Sequence, residues 1–160
     1  MGRTKLKVVD RDRGWGRVKR ELRKGRVEVA VGIQGPAAVA PRSEGKLTNA
    51  EIGAINEFGL GPPERSFLRA TLDAERRKYI QLLKGVGDAA VAGKTSLEQG
   101  ARLVGEIAVG DVKQTIADGV PPPNAPSTIE RKGSSTPLID TGQLRGSITS
   151  KVRKRRAERG

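Results

Sequence analysis

The clearest signal along the chain is a period of two. Val27, Val29, Val31 and Ile33 alternate with Glu28, Ala30 and Gly32, which predicts a strand with one β-branched, buried face. Ile148, Ser150 and Val152 repeat the pattern near the other end and predict a second strand. Between them the apolar spacing is helical. Ile52, Ile55 and Phe58 line one face of a short helix and read as core. Leu68, Leu72, Tyr79, Leu82 and Val86 define a helix from about 64 to 83, with Arg76, Arg77 and Lys78 on its other faces. Leu97, Ala101, Val104, Ala108, Val112 and Ile116 define a second long helix from about 97 to 117, its stripe widened by Leu103 and Ile107. Upstream of the first strand, residues 14–24 read as a short basic helix with Trp15, Val18 and Leu22 on one face, closed by Gly25.

Punctuation residues sharpen these limits. Thr48 and Glu51 form a capping box, in which the hydroxyl accepts from the third helical N–H and the carboxylate reaches back. Thr95, Ser96, Leu97 and Glu98 offer another. Gly59 stops the first of these helices, and Gly61, Pro62 and Pro63 make a stiff corner after it. Gly100, Gly105 and Gly110 inside the second long helix each cost about 1 kcal/mol against Ala, which implies close packing there. Residues 119–126 form a stiff, proline-rich connector. Ser127 to Glu130 opens a short capped helix closed by Gly133, and Asp140 to Gln143 caps a turn or short helix through Leu144 and Arg145. Residues 34–46 hold two Pro, two Gly and only small apolar groups. They read as a long loop arm unable to bury much surface, and Pro36, Pro41, Arg42 and Lys46 are its candidate contacts with a neighbouring subunit.

Composition narrows the chemistry. The chain has 160 residues, enough for one domain with extended ends. It holds no His and no Cys. Imidazole bases, thiol nucleophiles, disulfides and His- or Cys-ligated metals are therefore excluded. One Trp, one Tyr and two Phe are too few for a base-stacking platform. No apolar run approaches the roughly 20 residues of a membrane span. Gly93, Lys94, Thr95 and Ser96 resemble the end of a phosphate-binding loop, but position 88, where that loop needs Gly, is Asp88. Glu51 is explained by its cap, and Glu57, Asp111 and Asp118 by exposed helix faces, so no carboxylate pair stands out for acid–base work. The expectation is a protein without enzymatic activity and without cofactor or metal.

Charge is the strongest functional cue. Lys and Arg number 31 against 18 Asp and Glu, a net charge of +13. Residues 1–26 carry +8 and residues 151–160 carry +5, while 27–150 sums to zero. A neutral domain thus lies between a basic N-terminal segment and a basic tail. Such ends attract polyanions. The candidate contacts are Arg17, Lys19, Arg20, Arg23 and Lys24 at one end, and Lys151, Arg153, Lys154, Arg155 and Arg156 at the other.

Three blocks together resemble a known family. The first runs from Asn49 to Gly59 and ends Glu57-Phe58-Gly59. The second is Pro63-Glu64-Arg65-Ser66-Phe67-Leu68-Arg69. The third comprises Ala125 to Ile129, Lys132-Gly133, Pro137-Leu138-Ile139-Asp140-Thr141-Gly142-Gln143-Leu144-Arg145 and Ser147-Ile148. Their order and spacing over about 47–150 are similar to the tail-completion, or neck, proteins of tailed bacteriophages, including virion-morphogenesis proteins of Mu-like phages. Ser66 stands where that family carries Pro. The resemblance implies an α+β subunit with two long helices and several short ones on a small, mainly antiparallel sheet. It implies a homo-oligomeric ring, expected to be six-fold, at the head–tail junction of a virion assembled in the host cytoplasm. The neighbours would be the connector or head-completion protein and the tail terminator or tube. Genomic DNA would pass through the lumen, and neither membrane nor catalysis would be involved. The alternative class is a small basic nucleic-acid-binding protein, which predicts salt-sensitive binding of free DNA or RNA.

Overall fold

A computed structural model describes residues 14–23, 26–40, 47–132, 138 and 142–155. The fold is α+β. Helix α1 (Trp15–Arg23) precedes strand β1 (Arg26–Ile33), and strand β2 (Ile148–Arg155) ends the described chain. Between the strands lie α2 (Pro36–Val39), α3 (Asn49–Phe58), α4 (Arg69–Ala74), α5 (Arg76–Val91), α6 (Leu97–Asp118), α7 (Pro126–Lys132) and α8 (Gln143–Gly146). The two strands pair antiparallel along all eight residues, from Arg26 opposite Arg155 to Ile33 opposite Ile148. Among the described residues they form the whole sheet.

Strand alternation sends Val27, Val29, Val31 and Ile33 to one face together with Lys154, Val152, Ser150 and Ile148. Helix α6 covers that face. Gly105 makes the approach possible, since a Cβ there would lie 2.9 Å from Ser150 and 3.0 Å from Val29. Gly100 does the same toward α5, where a Cβ would collide with Val86. The third glycine differs: Gly110 faces open space. The core gathers Phe67, Val109, Val112, Ile116, Val120, Leu138, Leu144 and Ile148, with Val31, Ile33, Leu68 and Leu72 packed against it.

Several expectations need correction. The helix expected over 64–83 is two helices with irregular chain before them. Residues 63–68 do not coil because Glu57 holds them. Its carboxylate accepts from the backbone N–H of Leu68 and of Arg69, each at 2.9 Å, and from Ser66 Oγ at 2.8 Å. Glu57 is therefore buried rather than on an exposed face. It supplies from another helix the capping that α4 lacks locally. Glu75, in the bridge region at φ −89° and ψ 7°, then separates α4 from α5. Phe58 is not core: its ring is 58% exposed and lies under the Arg69 guanidinium at 5.5 Å. Leu103 and Ile107 also face outward, and Trp15 is 61% exposed although Val18 beside it is half-buried.

The loop arm is shorter than its composition suggested. Pro36 starts a single helical turn, Ala38 is buried, and Asn49 Nδ2 donates to Ala37 O at 2.9 Å. The remainder of that arm, 41–46, lies outside the described residues, as do Gly25, Gly133, Asp140 and Thr141. The Thr48–Glu51 box is formed in both directions. The second box pairs Ser96 with Gln99, one residue later than Thr95. Helix α7 begins at Pro126, a position that needs no N–H. Helix α8 follows Gly142 with no side-chain cap. Gly59 ends α3 in the left-handed region at φ 66°, and a Cβ there would press on the Glu64 backbone at 3.0 Å.

The same substitution should therefore act in opposite directions at two sites on α6. Gly105→Ala should destabilise by about 1–3 kcal/mol because Val29 and Ser150 must give way. Gly110→Ala should stabilise by about 0.5–1 kcal/mol. Urea denaturation midpoints of the two variants check this.

Candidate polyanion interface

The strand register decides where the two basic ends go. Residues 26 and 155 are directly paired, and Glu28 lies opposite Arg153 and Ala30 opposite Lys151. Only residues 24 and 25 separate α1 from β1. With about 3.8 Å per Cα step, Arg23 lies within about 11 Å of Arg26. The end of α1, the start of β1 and the end of β2 thus lie at one pole of the fold. On the ribbon face turned away from α6, Lys151 and Arg153 are exposed, and Glu28 is the only acidic residue in either strand. On α1, Lys19, Arg20 and Arg23 are exposed, and the Lys19 ammonium lies 5.6 Å from the centre of the Trp15 ring.

The candidate residues separate into groups. Lys19, Arg20, Arg23, Lys151 and Arg153 are all exposed, with Arg23 and Arg153 nearest the pole. Arg17 is on α1 and Arg155 on β2, at positions that place their backbone in the same region. Lys24 and Arg156 lie outside the described residues. Lys154 is exposed too, but its ammonium is engaged within the fold. It stands on the face toward α6 and pairs with Glu98 in the first turn of that helix. Arg102 bonds the same carboxylate at 2.9 Å. The Lys154 bond first, then the Arg102 bond, holds the Glu98 carboxyl below its usual value. Lys154 is thereby an anchor of β2 on α6. Of the arm residues, Pro36 is exposed at the start of α2, and Pro41, Arg42 and Lys46 lie outside the described residues.

Other polar clusters have structural explanations. Lys78 bonds Asp111 at 2.7 Å, and the Tyr79 hydroxyl donates to the same carboxylate at 2.8 Å. The group ties α5 to α6. Its lysine is held above its usual value mainly by the Asp111 bond, and the tyrosine is raised first by burial and then by Asp111. Arg65 is buried, and its guanidinium donates to the carbonyls of Pro122 at 2.9 Å and Pro123 at 3.2 Å, fastening the proline-rich connector. An open hollow of about 270 Å³ beside α8 is lined by Lys113, Gly142, Arg145 and Gly146. No cluster of acidic residues suited to a metal occurs among the described residues, and no helix there is long and apolar enough to cross a membrane.

Comparison with known proteins returns no matching family model, no matching curated protein and no matching solved structure.

The titrating groups set two pH limits. Glu51, lowered by its Thr48 bonds, and Glu98 both have folded values below the ordinary 4.5. Their contribution is present above that value and is lost as pH falls through the lower folded one. Tyr79 has a folded value above the ordinary 10.0. Its contribution is present below 10.0 and is lost as pH rises through the higher folded value. Denaturation midpoints across pH should fall at both extremes. Lys154→Gln should flatten the acid limb, and Tyr79→Phe the alkaline limb.

Proposed function

We propose that this chain is a non-catalytic building block of a tailed-bacteriophage virion neck, a tail-completion subunit that assembles into a ring between connector and tail. The observation that carries the reading is the convergence of the three sequence blocks. Glu57 of the first clasps Ser66, Leu68 and Arg69 of the second. Phe67 of the second packs in one core with Leu138, Leu144 and Ile148 of the third. Residues up to 91 positions apart thus serve one joint, which supports a resemblance based on order and spacing. The α+β architecture fits the same family.

Copies related by rotation would meet through different faces and close into a ring. Exposed apolar side chains flank the joint: Phe58 and Leu60 protrude at the end of α3, and Leu47 at its start. The arm beginning at Pro36 would reach an adjacent subunit. A second reading, a small basic nucleic-acid-binding protein, is favoured by the basic pole and needs no ring.

Mass measurement in solution and electron microscopy, alone and with connector and tail-terminator proteins, test the proposal. A closed ring with an axial hole is expected. A lone monomer under all these conditions contradicts it. The joint makes its own prediction. Glu57→Ala strips two buried N–H groups and a hydroxyl of their acceptor and should destabilise by about 3 kcal/mol, measured by urea denaturation.

A further inference from the structure

We propose that the basic pole formed by α1 and the outward face of the β1–β2 ribbon is a binding surface for the phosphate backbone of duplex DNA. The inference deepens the neck reading by naming what the pole meets.

Charge sign and spacing come first. Lys19, Arg20 and Arg23 lie on α1, and Lys151 and Arg153 on the ribbon. All five are exposed, and none is ion-paired within the described residues. Helix α1 is about 13 Å long, and Lys151 and Arg153 stand about 7 Å apart along β2. A pole of that extent can touch several phosphates, which recur every 3.4 Å or so along one strand.

The kind of partner follows from what the pole lacks. A protein partner is normally held by an apolar centre inside a polar rim. Here the ribbon's outward face offers half-buried Glu28 and Ala30 from β1, Gly32 is buried beside Leu68, and the valines are turned toward α6. Val18 is half-buried where α1 packs on α5. Trp15 is the one large apolar group exposed on the described part of α1. One ring cannot stack successive bases, so single strands gain little. A field of cations with one exposed ring among the described side chains of α1 suits a regular polyanion read through its backbone, without sequence preference. Arginine forks are adapted to phosphate oxygens.

The test is fluorescence anisotropy of the full-length protein with a 30-base-pair duplex between 50 and 200 mM NaCl. Five phosphate contacts predict a slope of log K on log salt of about −4.5 or steeper, a weakening of about 500-fold over that range. The double variants Lys151→Ser/Arg153→Ser and Arg20→Ser/Arg23→Ser should each make the slope shallower by about 2. Circular dichroism and melting of both variants should match the parent. The proposal is overturned if both variants keep the parent slope. It is also overturned if polyglutamate or phosphatidylserine-containing vesicles, at matched charge, bind at least as tightly as the duplex. Particle assembly scored on the same variants separates the two ideas. Rings that ignore DNA refute this surface alone, and DNA binding without rings refutes the neck alone.

Discussion

The antiparallel pairing of β1 with β2 is the constraint on which the rest depends. It joins residues more than 100 positions apart in a ladder eight residues long. Two strands alone make a marginal sheet, so the ribbon persists because α6 covers its apolar face. That contact in turn needs Gly105, and the Lys154–Glu98 pair fastens the basic end of β2 to the first turn of α6. One consequence is electrostatic. The end of basic helix α1, the start of β1 and the basic end of β2 are brought to one pole of the fold.

The second organising device is the Glu57 carboxylate. A buried acid is costly unless its oxygens are satisfied. Here two backbone N–H groups and a hydroxyl do so. The arrangement stops α3, bends the chain and starts α4 with one side chain. Ser66 is an active participant in this joint. Its hydroxyl donates to Glu57 and accepts from the N–H of Ala70 at 3.2 Å. The long helices α5 and α6 pack on each other through Gly100 and the Lys78–Asp111–Tyr79 group.

Much of this was legible in the residues, and the exceptions share a cause. Period-two runs gave both strands because one face is buried and the other is not. The Thr48–Glu51 box and Gly59 marked the limits of α3 because both act locally. Tertiary partners were invisible. Glu57 looked like a surface acid because its partners lie nine to twelve residues ahead. Phe58, Leu103 and Ile107 looked like core because helical spacing records which residues share a face, not whether anything covers it. For the candidate interface, the charge runs were plain in the sequence. Their meeting at one pole was not, since register is a long-range property. Nor could composition show that Lys154 turns inward to Glu98 while Lys151 and Arg153 turn out.

The central claim is that the end of α1 and the end of β2 lie at one pole. The chain lacks cysteine, so Arg23→Cys/Arg153→Cys can be spin-labelled cleanly at two sites. Pulsed electron–electron distance measurement then reads their separation directly. Backbone reach through residues 26 and 155, plus label linkers, predicts one narrow distribution centred below about 35 Å. A broad distribution or one centred well beyond that distance would contradict the account.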